Sequence, residues 1–479
     1  MLRVVLLVVS VSWLLGDSYA RADEALRSEA RTAMTRAVKF FASDVAVHGG
    51  YVYRYSDDLR KREGEGIAAP ETVWVQPPGT PFVGQSFLDA YLRTGDASLL
   101  DAAKSAGHCL VRGQLHSGGW QAHIDFGADL RGKQAYRVEP LRAKARNLST
   151  FDDNKTQSAL TALIRLDAAL GFKDDKIHEA ALFALQSILR VQFPNGGWAQ
   201  VFEETPDPAK HPVKRANYPE SWPREYPGGP YWFWYTFNDN AIADTIDVLL
   251  LAARTYKEPR YRDAALKAGD FIILAQMPEP QPAWAQQYNF EMQPVWARKF
   301  EPPAITAGES QGVIEILLRL YVESGDRKFL EPIPAALGYL ERSKLSDGRL
   351  ARFYELRTNK PLYFTKDYRL TEDDGDVPTH YGFKVGSKLD SLRKRFGEIQ
   401  ALKPEKLASK RESRYVLSTN RPSDDQVRSV IKSLDSRGAW VESGSLKYHG
   451  KNDDTRRVID SETFVKNLDV LSRYVGAEK

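Results

Sequence analysis

A short motif that ends in tryptophan recurs along the chain and limits the folds open to it more than any other feature. Gln114 to Ala122 reads Gln-Leu-His-Ser-Gly-Gly-Trp-Gln-Ala, and Gln192 to Gln200, 78 residues later, reads Gln-Phe-Pro-Asn-Gly-Gly-Trp-Ala-Gln. Trp284 begins a third ending of this kind, 86 residues after Trp198. A repeat of this length is typical of an array of similar supersecondary units. The chain is therefore expected to be built from repeats.

Pairs of segments with helical periodicity separate these motifs. Apolar residues recur three and four positions apart in each segment, which indicates a helix with one buried face. Gly, Pro and Asp occupy the connections, as expected of turns between helices. The clearest pairs are residues 84–92 with 101–111, 156–169 with 177–190, and 241–253 with 261–275.

Two helices per repeat predict an all-α fold, an (α/α) toroid of helical hairpins. The aromatic-rich loops fall at the same end of each hairpin, so in a closed ring they would build a cleft at one mouth. An open solenoid of the same hairpins is the alternative. His48 to Tyr51 and Arg437 to Trp440 are degenerate copies of the motif towards the two ends of the chain.

The segment after Lys384 differs in composition from the repeats. It is rich in charged residues from Lys388 to Arg414, and its helical periodicity is weaker near 424–434 and 461–474. We therefore expect a catalytic toroid over residues 21–384 and a small C-terminal appendage of unknown role over residues 385–479.

Residues 1–20 have the pattern of a secretory signal peptide. Arg3 precedes an apolar run from Val4 to Leu15, and Ser18 and Ala20 are small residues at the positions that precede a cleavage site. The run is too short to span a bilayer comfortably. We expect cleavage after Ala20, a secreted or periplasmic protein, and no membrane attachment afterwards. A buried N-terminal helix is the alternative.

Composition narrows the class of partner. The formal net charge is +4 at pH 7, which is compatible with a polyanionic substrate. No block of basic residues suggests binding to nucleic acid. Cys109 is the only cysteine, so the exported chain would fold without an internal disulfide. We expect a monomer.

Two clusters of aspartate and asparagine stand directly before predicted helices. Residues 231–240 contain six aromatic side chains and end in Asn238-Asp239-Asn240, and residues 151–154 read Phe-Asp-Asp-Asn. Helix capping explains one such residue per cluster. Both clusters hold the same place in successive repeats, so a toroid would make them neighbours. Oxygen ligands without His or Cys favour Ca²⁺ over zinc, and the predicted ligands are Asp153, Asp239 and Asn154.

Cations and aromatic residues occur in later loops that belong to the same mouth. Arg298 and Lys299 lie between Trp296 and Phe300, and Glu309 lies at the start of another predicted helix. A solvated basic pair is the commonest fate of such residues, but the aromatic and proline neighbours indicate an ordered loop. The segments 349–355, 358–364 and 380–383 add further cations and aromatic rings.

Several of these motifs together resemble polysaccharide lyase family 10, the pectate lyases built on an (α/α) toroid. The resemblance rests on residues 196–200, 236–241, 298–302 and 353–361, in the order and spacing of that family, and it extends over roughly 25–383. The C-terminal segment lies outside it. The interval between Asp153-Asn154 and Thr156 is shorter than is usual in the family, and Lys360 stands where a substrate-binding arginine is expected.

The resemblance implies a Ca²⁺-dependent pectate lyase that cleaves polygalacturonate by β-elimination. Asp153 and Asp239 would hold the Ca²⁺, which would stabilise the enolate that forms when the C5 proton is removed. Arg298 matches the proposed catalytic arginine and would remove that proton. The residues expected to bind the substrate are Lys299, Trp198, Trp234, Tyr235, Asn240, Glu309, Asn359, Lys360 and Tyr381.

Three other functions remain open from the sequence. A glycoside hydrolase on the same scaffold would use two carboxylates among Asp153, Asp239 and Glu309 as acid and base. A polyuronate-binding protein with altered catalysis would fit the lysine at position 360. A terpene cyclase of the squalene-cyclase type is the third, because the Gln-x-x-x-Gly-x-Trp pattern also occurs in those enzymes. There the pattern ties helix ends together, and we expect the same structural role here.

Overall fold

The structure is a computed structural model that describes residues 23–413 and 416–477. The expected signal peptide and its cleavage site lie outside these residues, so both stay predictions. Within the described ranges, no helix is long and apolar enough to cross a membrane.

Helices dominate the fold, and four pairs of them are tight hairpins in which the two helices pack on each other. The hairpins are α2–α3, α4–α5, α6–α7 and α8–α9. The helices of nine residues or more are α1 (23–40), α2 (Thr80–Thr94), α3 (Ala97–Gly113), α4 (Lys155–Ala169), α5 (Asp175–Arg190), α6 (Ala241–Tyr256), α7 (Pro259–Leu274), α8 (Ala307–Ser324), α9 (Ile333–Arg342), α10 (Leu389–Gln400), α11 (Pro404–Ser413), α12 (Asp424–Lys432) and α13 (Ser461–Val475).

Short antiparallel strands join the loops at one end of the hairpins. Two four-stranded sheets have the orders β15-β16-β1-β2 and β13-β12-β11-β9, and the remaining strands form the pairs β3-β4, β5-β6, β7-β8 and β10-β14. The strands are β1 (Arg54–Ser56), β2 (Arg62–Glu63), β3 (Thr72–Trp74), β4 (His123–Asp125), β5 (Ser149–Thr150), β6 (Val201–Phe202), β7 (Tyr235–Thr236), β8 (Gln287–Tyr288), β9 (Ala304–Thr306), β10 (Leu350–Ala351), β11 (Phe353–Glu355), β12 (Pro361–Phe364), β13 (Leu370–Thr371), β14 (Lys384–Val385), β15 (Val441–Ser443) and β16 (Arg457–Asp460).

The recurrent motif fastens each hairpin to the next. The indole N–H of Trp198 donates to the carbonyl of Ile188 in α5 at 3.1 Å, and the Gln192 amide donates to the carbonyl of Ala264 in α7 at 2.9 Å. Trp120, Trp284 and Trp440 make the same bond to their own preceding helices. Buried carbonyls near helix ends need such partners. The motif therefore has the structural role expected from the sequence.

Glycines of the motif allow the close approach of neighbouring repeats and close the ring. Gly196 has φ +95°, and a Cβ atom there would lie 2.0 Å from the carbonyl oxygen of Lys267 in α7. Gly438, in the last copy, has φ +98°, and a Cβ atom there would lie 2.5 Å from the carbonyl oxygen of Arg36 in α1. The last repeat thus packs on the first, and the predicted (α/α) toroid is confirmed in place of the open solenoid.

The C-terminal segment is part of this ring. Strand β16 pairs with β1, helix α13 packs on α2, and Phe464 of α13 stacks on Phe41 with ring centroids 3.7 Å apart. Helix α10 packs on α8. Packing therefore continues across residue 384, where the sequence predicted a boundary, because α13 and α10 bury their apolar faces against the first and fourth hairpins.

Candidate active site

Two turns with the same sequence pattern begin helices α4 and α6. Residues 150–154 read Thr-Phe-Asp-Asp-Asn, and residues 236–240 read Thr-Phe-Asn-Asp-Asn. In both turns the threonine hydroxyl accepts the backbone N–H two residues later, from Asp152 at 3.1 Å and from Asn238 at 3.0 Å. The turns follow equivalent strands, β5 and β7, so the repeat places them side by side in the ring.

The backbone of each turn is strained in the same way. Asp153 and Asn154 have φ of 46° and 59°, and Asp239 and Asn240 have φ of 47° and 57°. After glycine, asparagine and aspartate enter this left-handed region most readily, and for them the cost is at most about 1–2 kcal/mol each. Neither Asn154 nor Asn240 caps its helix through its side chain. Capping as an explanation of the two clusters is therefore wrong.

The strained turns bring three carboxylates together. Oxygen atoms of Asp152, Asp153 and Asp239 all lie within 4.8 Å of one another, and we call these residues the acid triad. The two clusters therefore meet in space although the Asp153 loop is short. Asp152 was missed by the sequence analysis, which chose Asn154 as the third ligand. The Thr-Phe pair that begins both turns could have revealed Asp152, because it aligns Asp152 with Asn238.

Polar side chains surround the acid triad. The Gln76 amide donates to Asp153 at 3.2 Å, and the Gln200 amide donates to Asp152 at 2.5 Å. Lys155 is buried, and its ammonium group lies 2.6 Å from Asp152 and 3.5 Å from Asp153. This lysine occupies the shortened interval noted in the sequence and neutralises part of the triad's charge, but it makes no such contact with Asp239.

Asp239 is the carboxylate in the least favourable electrostatic setting. Burial raises its pKa to about 7, with further increases from the charges of Asp153 and Asp152 and a smaller opposing effect of Arg298. A group shifted in this way gains from a nearby cation. Carboxylate oxygens, with no His or Cys in the triad, are the ligands that Ca²⁺ prefers, so the residues present fit that ion.

Arg298 faces the triad from another loop and is held by an acidic partner. Its Nε and Nη2 atoms donate to the two carboxylate oxygens of Glu301 at 2.8 and 2.5 Å. Glu301 is buried and also accepts the Tyr381 hydroxyl at 2.9 Å. A bidentate pair of this kind fixes the plane of the guanidinium group. Tyr381, predicted to bind substrate, thus helps to position Arg298.

The pKa of Arg298 is affected in opposite directions by its surroundings. Burial lowers it, but the hydrogen bonds and charge of Glu301 raise it more, with a further increase from Asp239, and the net pKa lies above its ordinary value. With these neighbours Arg298 is a cation. Its side chain is 38% exposed, so a ligand at the acid triad can reach it.

A small pocket adjoins the triad. It has a volume of about 170 Å³ and is lined by Asp239, Asn240 and Glu309, with Gly308 and Phe237 among the others. Burial raises the pKa of Glu309, with partial compensation by Arg352. One carboxylate oxygen of Glu309 is buried without a hydrogen-bond partner among the described residues. Asn240 and Glu309 are thus close to the triad, as their proposed role requires.

Two of the predicted sugar platforms are buried and cannot present a ring face to a ligand. Trp198 is 1% exposed and Tyr235 is fully buried. Both predictions were wrong for the same reason, because these rings fill the interior behind the motif and behind strand β7. Trp234, which alternates with Tyr235 along the chain, remains half-buried at the surface and lies edge-on to Phe290 at 4.9 Å.

The remaining predicted binding residues lie on the loops around Arg298 and the β9–β13 sheet. The Asn359 side chain is taken up by hydrogen bonds with Tyr339, Ser343 and Gln281, so it holds its own turn in place and is not available to a ligand. Lys360 is exposed and pairs with Glu372 at 2.9 Å. Lys299 lies over the ring of Tyr368, with 3.5 Å from its Nζ atom to the centroid.

Comparison with known proteins identifies the family. The family model of pectic acid lyase matches residues 114–351, the segment that carries both acid turns and the Arg298 loop. This segment belongs to the pectic acid lyase family. The pectic acid lyase region runs from the first complete tryptophan motif to β10, and the chain is accordingly a polysaccharide lyase. No curated protein matches the chain.

Solved structures show more distant similarity. A family 10 polysaccharide lyase from Cellvibrio cellulosa is 19% identical, with a TM-score of 0.46 over 67% of this chain and 98% of its own. A mutant of that enzyme in complex with trigalacturonic acid is 18% identical over the same shares, again with a TM-score of 0.46. A D-mannose isomerase is 15% identical, with a TM-score of 0.45 over 93% of this chain and 97% of its own. Similarity at this level does not identify a substrate.

Proposed function

We propose that this protein is a Ca²⁺-dependent pectate lyase, which cleaves polygalacturonate or a related polyuronate by β-elimination. The observation that carries the proposal is the acid triad, formed by two duplicated, strained turns whose side chains do not serve as helix caps. Strain at a repeated position persists where the structure needs the resulting arrangement, and such positions cluster at functional sites. The family match over the same segment supports a polyuronate substrate.

The acid triad would hold the metal. Asp239, Asp153 and Asp152 would supply carboxylate ligands, and Lys155 would keep Asp152 in place. Bound there, Ca²⁺ would supply a Lewis acid that stabilises the negative charge formed on the uronate carboxylate when C5 loses its proton. The polar side chains of Gln76 and Gln200 would keep the carboxylates oriented.

Arg298 would remove the C5 proton. Glu301 and Tyr381 hold its guanidinium group in one plane, which a directed proton transfer requires. The base must be neutral, whereas Asp239 and Glu301 raise the pKa of Arg298. Neutralisation of the triad would remove the contribution of Asp239 and lower that pKa. Lys299, on the same loop, would face the polyanion. We also propose secretion through the expected signal peptide.

The decisive assay uses the purified protein, residues 21–479, with polygalacturonate. Elimination creates a conjugated C4–C5 double bond that absorbs in the ultraviolet, so absorbance should rise with Ca²⁺ present and stop rising when a chelator is added. The second candidate is a hydrolase that uses Asp239 and Glu309, because both have raised pKa values and line one pocket. New reducing ends without ultraviolet absorbance would establish hydrolysis and exclude the lyase.

A further inference from the structure

An aromatic pocket lies beside the proposed active site. Its volume is about 360 Å³, and its walls include the rings of Trp222, Tyr231, Trp234 and Trp296; we call it the aromatic pocket. Asn289 and Gln293 supply amide groups at one side. Among the described residues, none that lines this pocket carries a charge, although 27% of the chain is Asp, Glu, Lys or Arg.

Charged side chains of the same loop point into a different cleft. Arg224 and Glu225 stand between Trp222 and the prolines of the aromatic pocket in sequence, yet both line a neighbouring cleft of about 700 Å³. Arg224 pairs there with Glu355. The indole N–H of Trp296 donates to the carbonyl of Pro223 at 2.9 Å and fastens the loop between the two spaces. The Arg224 guanidinium lies 4.3 Å from the centroid of the Trp222 ring, but its charge is paired with Glu355. The lining of the aromatic pocket itself therefore contributes no unpaired cation.

Two chain segments supply residues both to the aromatic pocket and to the proposed active site. Trp234 lies five residues before Asp239, and Trp296 lies two residues before Arg298. Tyr231, in the wall of the aromatic pocket, is also near the acid site: burial raises the pKa of its hydroxyl, and the charges of Arg298, Glu301, Asp152 and Asp239 alter it further. A polymer whose uronate unit lies at the triad would therefore place an adjacent unit in the aromatic pocket.

We infer that the aromatic pocket binds an uncharged sugar unit next to the uronate that reacts, and that the preferred substrate is a polyuronate whose carboxylates are interrupted by methyl esters or by neutral sugars. Taking a free carboxylate from water into an aromatic pocket without a cation is costly, whereas an ester or a neutral sugar loses little. Rings at the walls suit the apolar faces of a sugar, and the amides of Asn289 and Gln293 can bond its hydroxyl groups. The inference rests on the proposed polyuronate lyase activity.

Three polymers test the inference and distinguish the two sources of an uncharged unit. They are polygalacturonate, a pectin with about half of its carboxylates methyl-esterified, and a polymer in which galacturonate alternates with a neutral sugar. Ultraviolet absorbance gives kcat/KM for each, and calorimetric titration with saturated oligosaccharides of the three kinds gives Kd independently of turnover. We expect at least one interrupted substrate to exceed polygalacturonate about threefold or more in kcat/KM, with a lower Kd.

Single-residue variants test whether this preference arises in the aromatic pocket. Ser221 is exposed at its rim, so Ser221→Lys adds a cation with little risk to folding. We expect this variant to lower the ratio of kcat/KM for interrupted over uninterrupted polymer about threefold or more, since the new cation attracts a free carboxylate. Val213→Lys adds the same charge at an exposed position outside the pocket and should leave the ratio unchanged. Trp222→Ala should weaken binding of the interrupted oligosaccharide about tenfold.

The outcomes separate this inference from the proposed function. Preference for polygalacturonate in both assays, or equal ratios in Ser221→Lys and Val213→Lys, would overturn the inference and leave the lyase activity standing. Absence of ultraviolet-absorbing product from all three polymers would overturn the proposed function. The calorimetric comparison of interrupted with uninterrupted oligosaccharides would then still decide what the pocket binds.

Discussion

Asp153 and Asp239 stand 86 residues apart in the sequence, yet they have the same left-handed backbone conformation and carboxylate oxygens within 4.8 Å of each other. Each is the fourth residue of a Thr-Phe-(Asp/Asn)-Asp-Asn turn that leads from a short strand into a helix of the ring. Duplication of one turn in adjacent repeats has thus produced a concentrated negative charge that a single turn could not supply.

Loss of either carboxylate is expected to remove activity. Asp153→Asn and Asp239→Asn keep the size of the side chain but remove a charged ligand, and each should lower kcat/KM on polygalacturonate by about 100-fold or more, equivalent to roughly 2.7 kcal/mol of transition-state stabilisation. Asp129→Asn, at an exposed position in the short helix Ala128–Arg131, is the matched control. Activity near the wild-type value in both triad variants would contradict a metal role for the triad.

Ca²⁺ is expected to stabilise the folded protein through the triad. At a concentration 100-fold above Kd the ion should add about 2.7 kcal/mol to the free energy of unfolding, visible as a higher Tm than in chelator. Asp239→Asn should lose this increase. In chelator at pH 8 that variant should be at least as stable as the wild type, because it removes like-charge repulsion from Asp153 and Asp152. An equal rise in Tm for both proteins would place the ion elsewhere.

Repeats made the ring predictable from sequence, because the Gly-Gly-Trp motif reports both the hairpin period and the bonds that fasten neighbouring helices. The C-terminal segment was harder to place, since the sequence shows that α12 and α13 are amphipathic but does not show which surface their apolar faces cover. Their place in the ring depends on long-range contacts such as that of Phe464 with Phe41, which local sequence does not contain.

The carboxylates of the site could be predicted from the sequence, but which aromatic residues are exposed could not. Asp153 and Asp239 stood out because helix capping explains one aspartate or asparagine before a helix but not three in a row. Trp198 and Tyr235 were misassigned because an aromatic residue in a loop has the same sequence signature whether it faces solvent or fills the interior. Burial there follows from how the strands pair, with Tyr235 opposite Tyr288 in adjacent strands. Lys155 and Glu301 each pair with a residue only three positions away, Asp152 and Arg298, but in irregular turns whose geometry the local sequence does not specify.

Asp244 on α6 is expected to make stability depend on pH. Burial raises its pKa to about 7, with a further increase from Asp247 and an opposing effect of Arg319. Its unfolded pKa is about 3.9, so between about pH 4 and 7 the folded state binds more protons and the free energy of unfolding falls as the pH rises.

Asp244→Asn tests this dependence because its amide stays neutral at every pH. By urea denaturation the variant should exceed the wild type by about 1–3 kcal/mol at pH 8, with the difference shrinking towards pH 4. Asp129→Asn is again the control and should show no such trend. A stability difference for Asp244→Asn that is independent of pH would show that the carboxyl group is not perturbed.

Trp198 is expected to matter for stability and not for binding. Trp198→Phe keeps an aromatic ring but removes the hydrogen bond to Ile188 and leaves that carbonyl unpaired, at a cost of about 1–3 kcal/mol in the free energy of unfolding. KM for polygalacturonate should be unchanged. Trp232→Phe, at an exposed ring, is the control and should unfold like the wild type. A raised KM in Trp198→Phe with normal stability would restore the tryptophan as a sugar platform.

The pair of Arg298 with Glu301 allows the proposed base to be identified from the pH dependence of the rate. Arg298→Ala should abolish turnover while oligosaccharide binding stays measurable.

Glu301→Gln keeps the shape of the partner but removes its negative charge, so the pKa of Arg298 should fall. A base acts when neutral, and its neutral fraction grows as its pKa approaches the working pH. The rising limb of kcat/KM against pH should therefore move to lower pH in Glu301→Gln. Because Glu301 also accepts the Tyr381 hydroxyl, Tyr381→Phe separates the loss of that hydrogen bond from the loss of the Glu301 charge and should move the limb less than Glu301→Gln does. A limb that does not move in Glu301→Gln, in an enzyme that still turns over, would make Arg298 a binding cation and not the base.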